Sequence, residues 1–192
     1  FQPFVMGMII SVLVGVALTL PISSAAICAA LGLTGLAGGA AVAGCCAQMI
    51  GFAVMSFKEN RVGGLLSQGL GTSMLQMPNI IKNPKIWIPP ILTSLITGPI
   101  ATCIFALEMN GPAVSSGMGT CGFVGQIGVI TGWYSPSETA ILHGASAISP
   151  TFFDWLGLLL ISFILPAILT YIFGSILRRI GWIKEGDLTL SE

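Results

Sequence analysis

Residues 25–57, AAICAALGLTGLAGGAAVAGCCAQMIGFAVMSF, contain no charged side chain over their whole length. Three further apolar runs share this character: Phe4 to Ile22, Ile86 to Met109 and Thr151 to Leu177, with only Glu108 and Asp154 near their ends carrying charge. A bilayer hydrocarbon core of roughly 30 Å takes about 20 apolar residues as a helix, because lipid offers no hydrogen-bond partner to an exposed backbone group. Each run is long enough to cross. The sequence therefore predicts an all-α polytopic membrane protein with about four full transmembrane helices.

Composition supports this reading. Hydrophobic residues make up 54% of the chain and charged residues 7%, with a mean hydropathy of +0.95. A soluble domain carries about 25% charged residues. Apolar character recurs as far as residue 177, so the pattern is not a secretory signal preceding a soluble domain. The whole of 1–192 reads as one membrane domain. Because it opens on Phe1, it is expected to be the C-terminal part of a longer protein.

Basic residues suggest an orientation. Lys58, Arg61, Lys82 and Lys85 lie between the second and third runs, and Arg178, Arg179 and Lys184 follow the fourth. Positive residues near span ends stay cytoplasmic. Segment 58–85 is therefore expected to be cytoplasmic or interfacial, 178–192 a cytoplasmic tail, and 110–150 non-cytoplasmic. Within 65–77, Leu65, Leu66, Leu70, Met74, Leu75 and Met77 approximate an apolar helical stripe opposite Ser67, Gln68, Thr72, Ser73 and Gln76.

Segment 110–150 has no Lys or Arg and is rich in glycine. It is too apolar for a solvated loop and too interrupted for a lipid-facing helix. Re-entrant or broken helices reconcile the two properties, since irregular backbone survives at membrane depth only against protein or a water-filled cavity. An ordinary loop with packing glycines is the alternative. A possible internal repeat points the same way: residues 19–52 set on 97–130, an offset of 78, share six identities, Thr19/Thr97, Pro21/Pro99, Ile22/Ile100, Gly39/Gly117, Gly44/Gly122 and Gln48/Gln126. Each unit reads as a helix ending in a Thr-x-Pro bend, followed by a Gly-rich stretch with one Gln. Transporters duplicate such broken elements around a substrate.

Several polar residues in these segments are candidates for substrate contact. Ser135, Pro136 and Glu138 resemble a helix start with a capping box, so Glu138 is either a cap or a ligand. His143 is five residues further on, about 140° around a helix from Glu138, and Asn110, Gln126 and Gln48 offer amides that both donate and accept. Such a set suits an uncharged polyol. Glu108 and Asp154 read as interface markers. The five cysteines, Cys28, Cys45, Cys46, Cys103 and Cys121, have no chelating spacing and read as small packing residues. No metal site, cofactor or nucleic-acid partner is expected. Phosphate-loop, zinc-protease and Gly-x-Ser-x-Gly motifs do not occur.

The stretches from Leu18 to Asn60, Gly63 to Ile100 and Asn110 to Gly128 resemble the membrane-spanning EIIC component of the bacterial phosphoenolpyruvate-dependent sugar phosphotransferase system, within its compact EIIC-like branch of Gram-positive bacteria. The likeness covers nearly the whole chain. It implies a homodimeric permease in the bacterial plasma membrane that binds a sugar and presents it to a separate cytoplasmic EIIB phosphocarrier, with no phosphorylated residue in this chain. It also implies a Glu and a His at the sugar, roles that fall on Glu138 as the catalytic carboxylate and on His143. Tyr134-Ser135-Pro136-Ser137-Glu138 is a distant counterpart of the Gly-Ile-Thr-Glu-Pro motif of the glucose-like branch. The alternative reading is a membrane binding or regulatory protein, or a passive channel, that keeps the scaffold without group translocation.

Overall fold

The computed structural model describes residues 2–190, and no strand occurs among them. Helix α1 (Gln2–Thr19) ends where Pro21 cannot continue it, and a short α2 (Ser24–Ala30) precedes α3 (Gly35–Met55). The uncharged run 25–57 is thus two helices. Gly32 and Gly35, at φ +58° and +62°, make the break between them. Then come α4 (Phe57–Leu66), a π turn (Ser67–Gly71), a 3₁₀ turn (Ser73–Gln76), α5 (Met77–Lys82) and a second 3₁₀ turn (Pro84–Trp87). Helix α6 (Ile88–Pro99) runs into a π turn (Ile100–Ile104). The Gly-rich segment supplies α7 (Ala113–Ser116), a 3₁₀ turn (Cys121–Phe123), α8 (Val124–Tyr134) and α9 (Glu138–Leu142). Helix α10 (Phe152–Leu159) continues through a π turn (Leu160–Ile164) into α11 (Leu165–Arg179).

Among the described residues, four helical stretches are long and apolar enough to cross a membrane: Gln2–Thr19, Gly35–Met55, Pro84–Ile104 and Phe152–Arg179. They match the four apolar runs. Helix α3 is apolar on every side and lies at the centre, 89% of its span buried against 28% for α1. Small residues permit this close packing. A Cβ on Gly44 would overlap the Ser11 carbonyl of α1, and one on Gly98 the Gly7 carbonyl. Hydroxyls add polar ties between helices: Ser11 Oγ donates to the Ser94 carbonyl at 2.7 Å, and the Thr93 and Thr170 hydroxyls lie 2.9 Å apart.

Segment 110–150 is built as broken helices. Shifted by 78 residues, α3 would cover 113–133, and α7 through α8 occupies Ala113–Tyr134. Where α3 is continuous, this stretch breaks at Gly119, Gly122 and Phe123, all at positive φ. Phe123 begins α8 from a left-handed conformation that only surrounding packing maintains. The first half of each proposed unit differs as well. Thr19 ends α1, whereas Pro99 lies inside a helix that carries on into its π turn.

Segment 58–85 is a series of short helical pieces, not one continuous helix. Gln68, Ser73 and Gln76 are fully buried, while Leu66, Met74 and Leu75 are exposed. Leu65, Leu70 and Met77 are half-buried, as are Ser67 and Thr72, so the two faces are only partly sorted by polarity. The amides of this segment face inward beside an apolar cluster on which Met77 and Ile80 also pack. A buried amide ladder results: Asn79 Nδ2 donates to Gln76 Oε1, Gln76 Nε2 to Gln68 Oε1, and Gln68 Nε2 to Ser56 Oγ, each at 2.8 Å. The C-terminal tail closes its open end, with Leu188 and Ile183 packed beside Phe52, Met55, Ile80 and Ile86. The two basic segments therefore share one end of the molecule.

Candidate functional site

Helix α3 serves as a depth gauge. At 1.5 Å per residue, Thr34 at its cap and Ser56 at its far end are about 33 Å apart, and Gln48 is about 21 Å from Thr34. Beyond the ladder at Ser56, polar groups gather at two further levels along it.

At mid-depth, Gln48 Oε1 accepts from the Trp87 indole N–H at 2.9 Å and from the Thr19 hydroxyl at 3.2 Å. Ser73 Oγ lies 2.8 Å from Thr19 Oγ1, which links the cluster to the inward-turned segment. An indole N–H only donates, so it fixes which end of the amide is oxygen. Gln48 Nε2 is consequently buried without an acceptor. An unmet buried donor costs about 1–3 kcal/mol, and native structures hold few of them.

Gln126 lies on another side of α3. Its Nε2 donates to Ser162 Oγ at 3.0 Å and to Cys46 Sγ at 3.3 Å, which ties α8 to the π turn between α10 and α11. Its Oε1 is the second buried amide atom without a partner. Nearby, the Thr120 hydroxyl donates to the Gly69 carbonyl, so the break in the Gly-rich segment rests directly on the Ser67–Gly71 turn.

The other level is at the Thr34 end of α3. Thr34, Glu108, Asn110 and His143 line a cleft of about 130 Å³. Asn110 Nδ2 donates to Glu108 Oε2 at 2.8 Å, and His143 Nδ1 lies 3.1 Å from Thr34 Oγ1. Paired backbone hydrogen bonds between Gly35 and Met109, both 3.0 Å, brace its floor. The cleft thus presents a carboxylate, an amide, an imidazole and a hydroxyl within a small volume.

The five sequence candidates do not converge on one place. Asn110 and His143 share the cleft, while Gln48 and Gln126 occupy separate mid-depth clusters. Glu138 is exposed at the first position of α9. Ser137, not Ser135, caps that helix by accepting from the Ala140 N–H, so the expected capping box is not formed there. Ser137 also donates from its N–H to the Asn110 carbonyl and from its hydroxyl to the Gly111 carbonyl, both at 2.9 Å, which sets Glu138 beside the cleft without making it a wall. Helix α9 stops at Leu142, leaving His143 at its C-cap. Asp154 carries the carboxylate cap instead, accepting from the Thr151 N–H and hydroxyl at 2.7 Å.

Sequence reasoning missed Thr34, Glu108, Thr19, Ser73 and Trp87. The Glu108-x-Asn110 spacing before a Gly-Pro turn was a usable signal, since it places an amide and a carboxylate side by side as the chain leaves a helix. Trp87 gave none beyond its position at a span end. Among the described residues no group of three or more His, Cys, Asp or Glu is placed to hold a metal ion.

Membrane-length helices, broken helices folded among them and polar groups held at bilayer depth define a transporter-like polytopic membrane protein. The family described as "Phosphotransferase system, EIIC" matches residues 1–190, and the chain belongs to that family. It is accordingly a membrane component of a phosphotransferase system. Comparison with curated proteins and with solved structures finds no match.

Proposed function

We propose that the chain is the sugar-translocating permease subunit of its phosphotransferase system, holding the sugar in the membrane while a separate EIIB protein phosphorylates it. The observation that carries this reading is the buried Gln48 amide, whose oxygen is fixed by Trp87 and Thr19 and whose nitrogen lacks an acceptor. A sugar hydroxyl accepts from such a donor and makes good its cost, with no charge required at bilayer depth.

In this reading Asn110 and His143 receive the sugar at the cleft, with Glu138 at its rim as the carboxylate that orients a hydroxyl. Gln48 takes over at mid-depth. Gln126 reaches the sugar only when the broken helix shifts. The basic end, where segment 58–85 meets the C-terminal tail, faces the cytoplasm by the positive-inside rule and meets EIIB there. A homodimer completes the arrangement.

The test is sugar uptake by liposomes containing the full-length protein, with and without phosphocarrier proteins, for wild type, Gln48→Leu and Glu138→Gln. Phosphocarrier-dependent accumulation lost in Gln48→Leu supports the reading. No accumulation of any sugar under either condition removes it and leaves a channel or sensor as the role.

A further inference from the structure

At the basic end a second cavity, of about 300 Å³, opens between the α3–α4 junction and α11. Its walls are apolar, from Val54, Phe57 and Leu65 on one side to the Tyr171 ring on the other. Lys58 and Arg178 stand at its edge with the Ser175 hydroxyl. Arg178 is the last residue but one of a membrane-length stretch, and Lys58 lies just beyond the end of another. The cleft therefore starts among lipid-facing side chains and finishes where headgroups lie.

The two cations are not equivalent. Arg178 is held by Glu59 Oε1 at 2.7 Å and by the Met55 carbonyl at 3.2 Å, which fixes its guanidinium across the two elements. Lys58 is exposed and makes no ion pair among the described residues. One fixed, partly neutralised cation and one free cation above an apolar slot form a two-part recognition surface. Inorganic anions have no use for the slot, and a zwitterionic lipid gains little from the cations.

We infer that this cleft is a binding site for one anionic phospholipid, with part of an acyl chain between α4 and α11 and the phosphate at Lys58 and Arg178. Basic pockets between membrane helices on the positive side favour such headgroups, each Lys or Arg near the surface contributing a factor of about five. The bound lipid covers the Glu59–Arg178 pair and bridges α4 to α11.

Native mass spectrometry of the full chain in detergent tests this directly. Phosphatidylglycerol and phosphatidylcholine with identical acyl chains are titrated separately, and then in the presence of inorganic phosphate. Expected are one tightly held phosphatidylglycerol per chain, at least tenfold preference over phosphatidylcholine, and no displacement by millimolar phosphate. Lys58→Gln lowers the preference about fivefold, Ser175→Phe weakens both lipids by filling the slot, and Lys82→Gln, at the same end outside the cleft, changes neither. Equal retention of the two lipids overturns the site. So does displacement by phosphate, which marks a free-anion site, or an effect of Lys82→Gln as large as that of Lys58→Gln, which marks diffuse surface attraction. Lys58 is exposed, so its variant keeps the test informative if Ser175→Phe fails to fold.

Discussion

Gln76 Nε2 donates to the Leu188 carbonyl at 2.9 Å, joining the end of the inward-turned segment to the C-terminal tail across 112 residues of sequence. The same nitrogen donates to Gln68 Oε1, so a single side chain serves both the ladder and the tail. Gln76→Leu removes both donations and the acceptor used by Asn79. The expected cost is about 2–4 kcal/mol, since several buried groups lose partners together. Hydrogen exchange checks it: amides of 183–190 lose protection in the variant, while those in the middle of α3 keep theirs.

The Glu59–Arg178 pair is largely enclosed, with side-chain exposures of 8% and 19%. Glu59→Gln leaves a guanidinium without its counter-charge. An expected loss of about 2–3 kcal/mol, below the full range for buried pairs because Arg178 retains some solvent, appears as a lower thermal midpoint in detergent. A gain in stability would contradict it.

Replacing Gly44 tests the α1–α3 crossing. A Cβ there meets the Ser11 backbone rather than a flexible side-chain tip, so α1 must move away. Gly44→Val is expected to destabilise by about 3 kcal/mol or more, whereas Gly63→Ala, at an exposed helical position with no atom within 4 Å of the new Cβ, is expected to stabilise by up to about 1 kcal/mol.

Thiol labelling separates the cysteines by burial. Cys28, Cys45 and Cys46 are fully buried, Cys103 is exposed and Cys121 is intermediate. A membrane-permeant maleimide is expected to modify Cys103 first and Cys121 more slowly. Labelling of Cys45 or Cys46 before denaturant is added would overturn the placement of α3 at the centre.

The cleft yields a comparison between two carboxylates. Glu108 forms part of its wall and is hydrogen-bonded to Asn110, while Glu138 stands outside the lining. If a sugar binds in the cleft, Glu108→Gln raises its half-saturation concentration about tenfold, the effect of losing one hydrogen bond to a charged group. A loss of uptake in Glu138→Gln with Glu108→Gln unaffected would assign the contact to the rim instead.

Apolar run length located the four spans because lipid imposes a long, uninterrupted pattern on any crossing helix. The Gly-rich segment was legible as broken helix for the complementary reason: residues such as Gly119 and Gly122 adopt backbone that no regular helix allows. In segment 65–77 the period reveals that two faces differ and leaves open which one turns inward. Here the hydrogen-bonding capacity of Asn79, Ser56 and the tail decides it, and those partners are remote in sequence. The same remoteness hid the cleft, whose four walls come from Thr34, Glu108, Asn110 and His143. The capping of α9 was misplaced by two residues, since Ser137 gains its position from contacts with Asn110 and Gly111 that no local pattern contains.

The ladder through Ser56, Gln68, Gln76 and Asn79 imposes an order on biosynthesis. Its final acceptors, the Leu188 and Thr189 carbonyls, are translated more than a hundred residues after the amides that donate to them. A nascent chain therefore holds Gln76 and Asn79 incompletely paired while α6, the Gly-rich segment and α11 are inserted. Water must hydrate them in the interim, so this end of the molecule closes last. A chain shortened to end before residue 188 would keep all four membrane-length stretches and leave Gln76 and Asn79 without these acceptors.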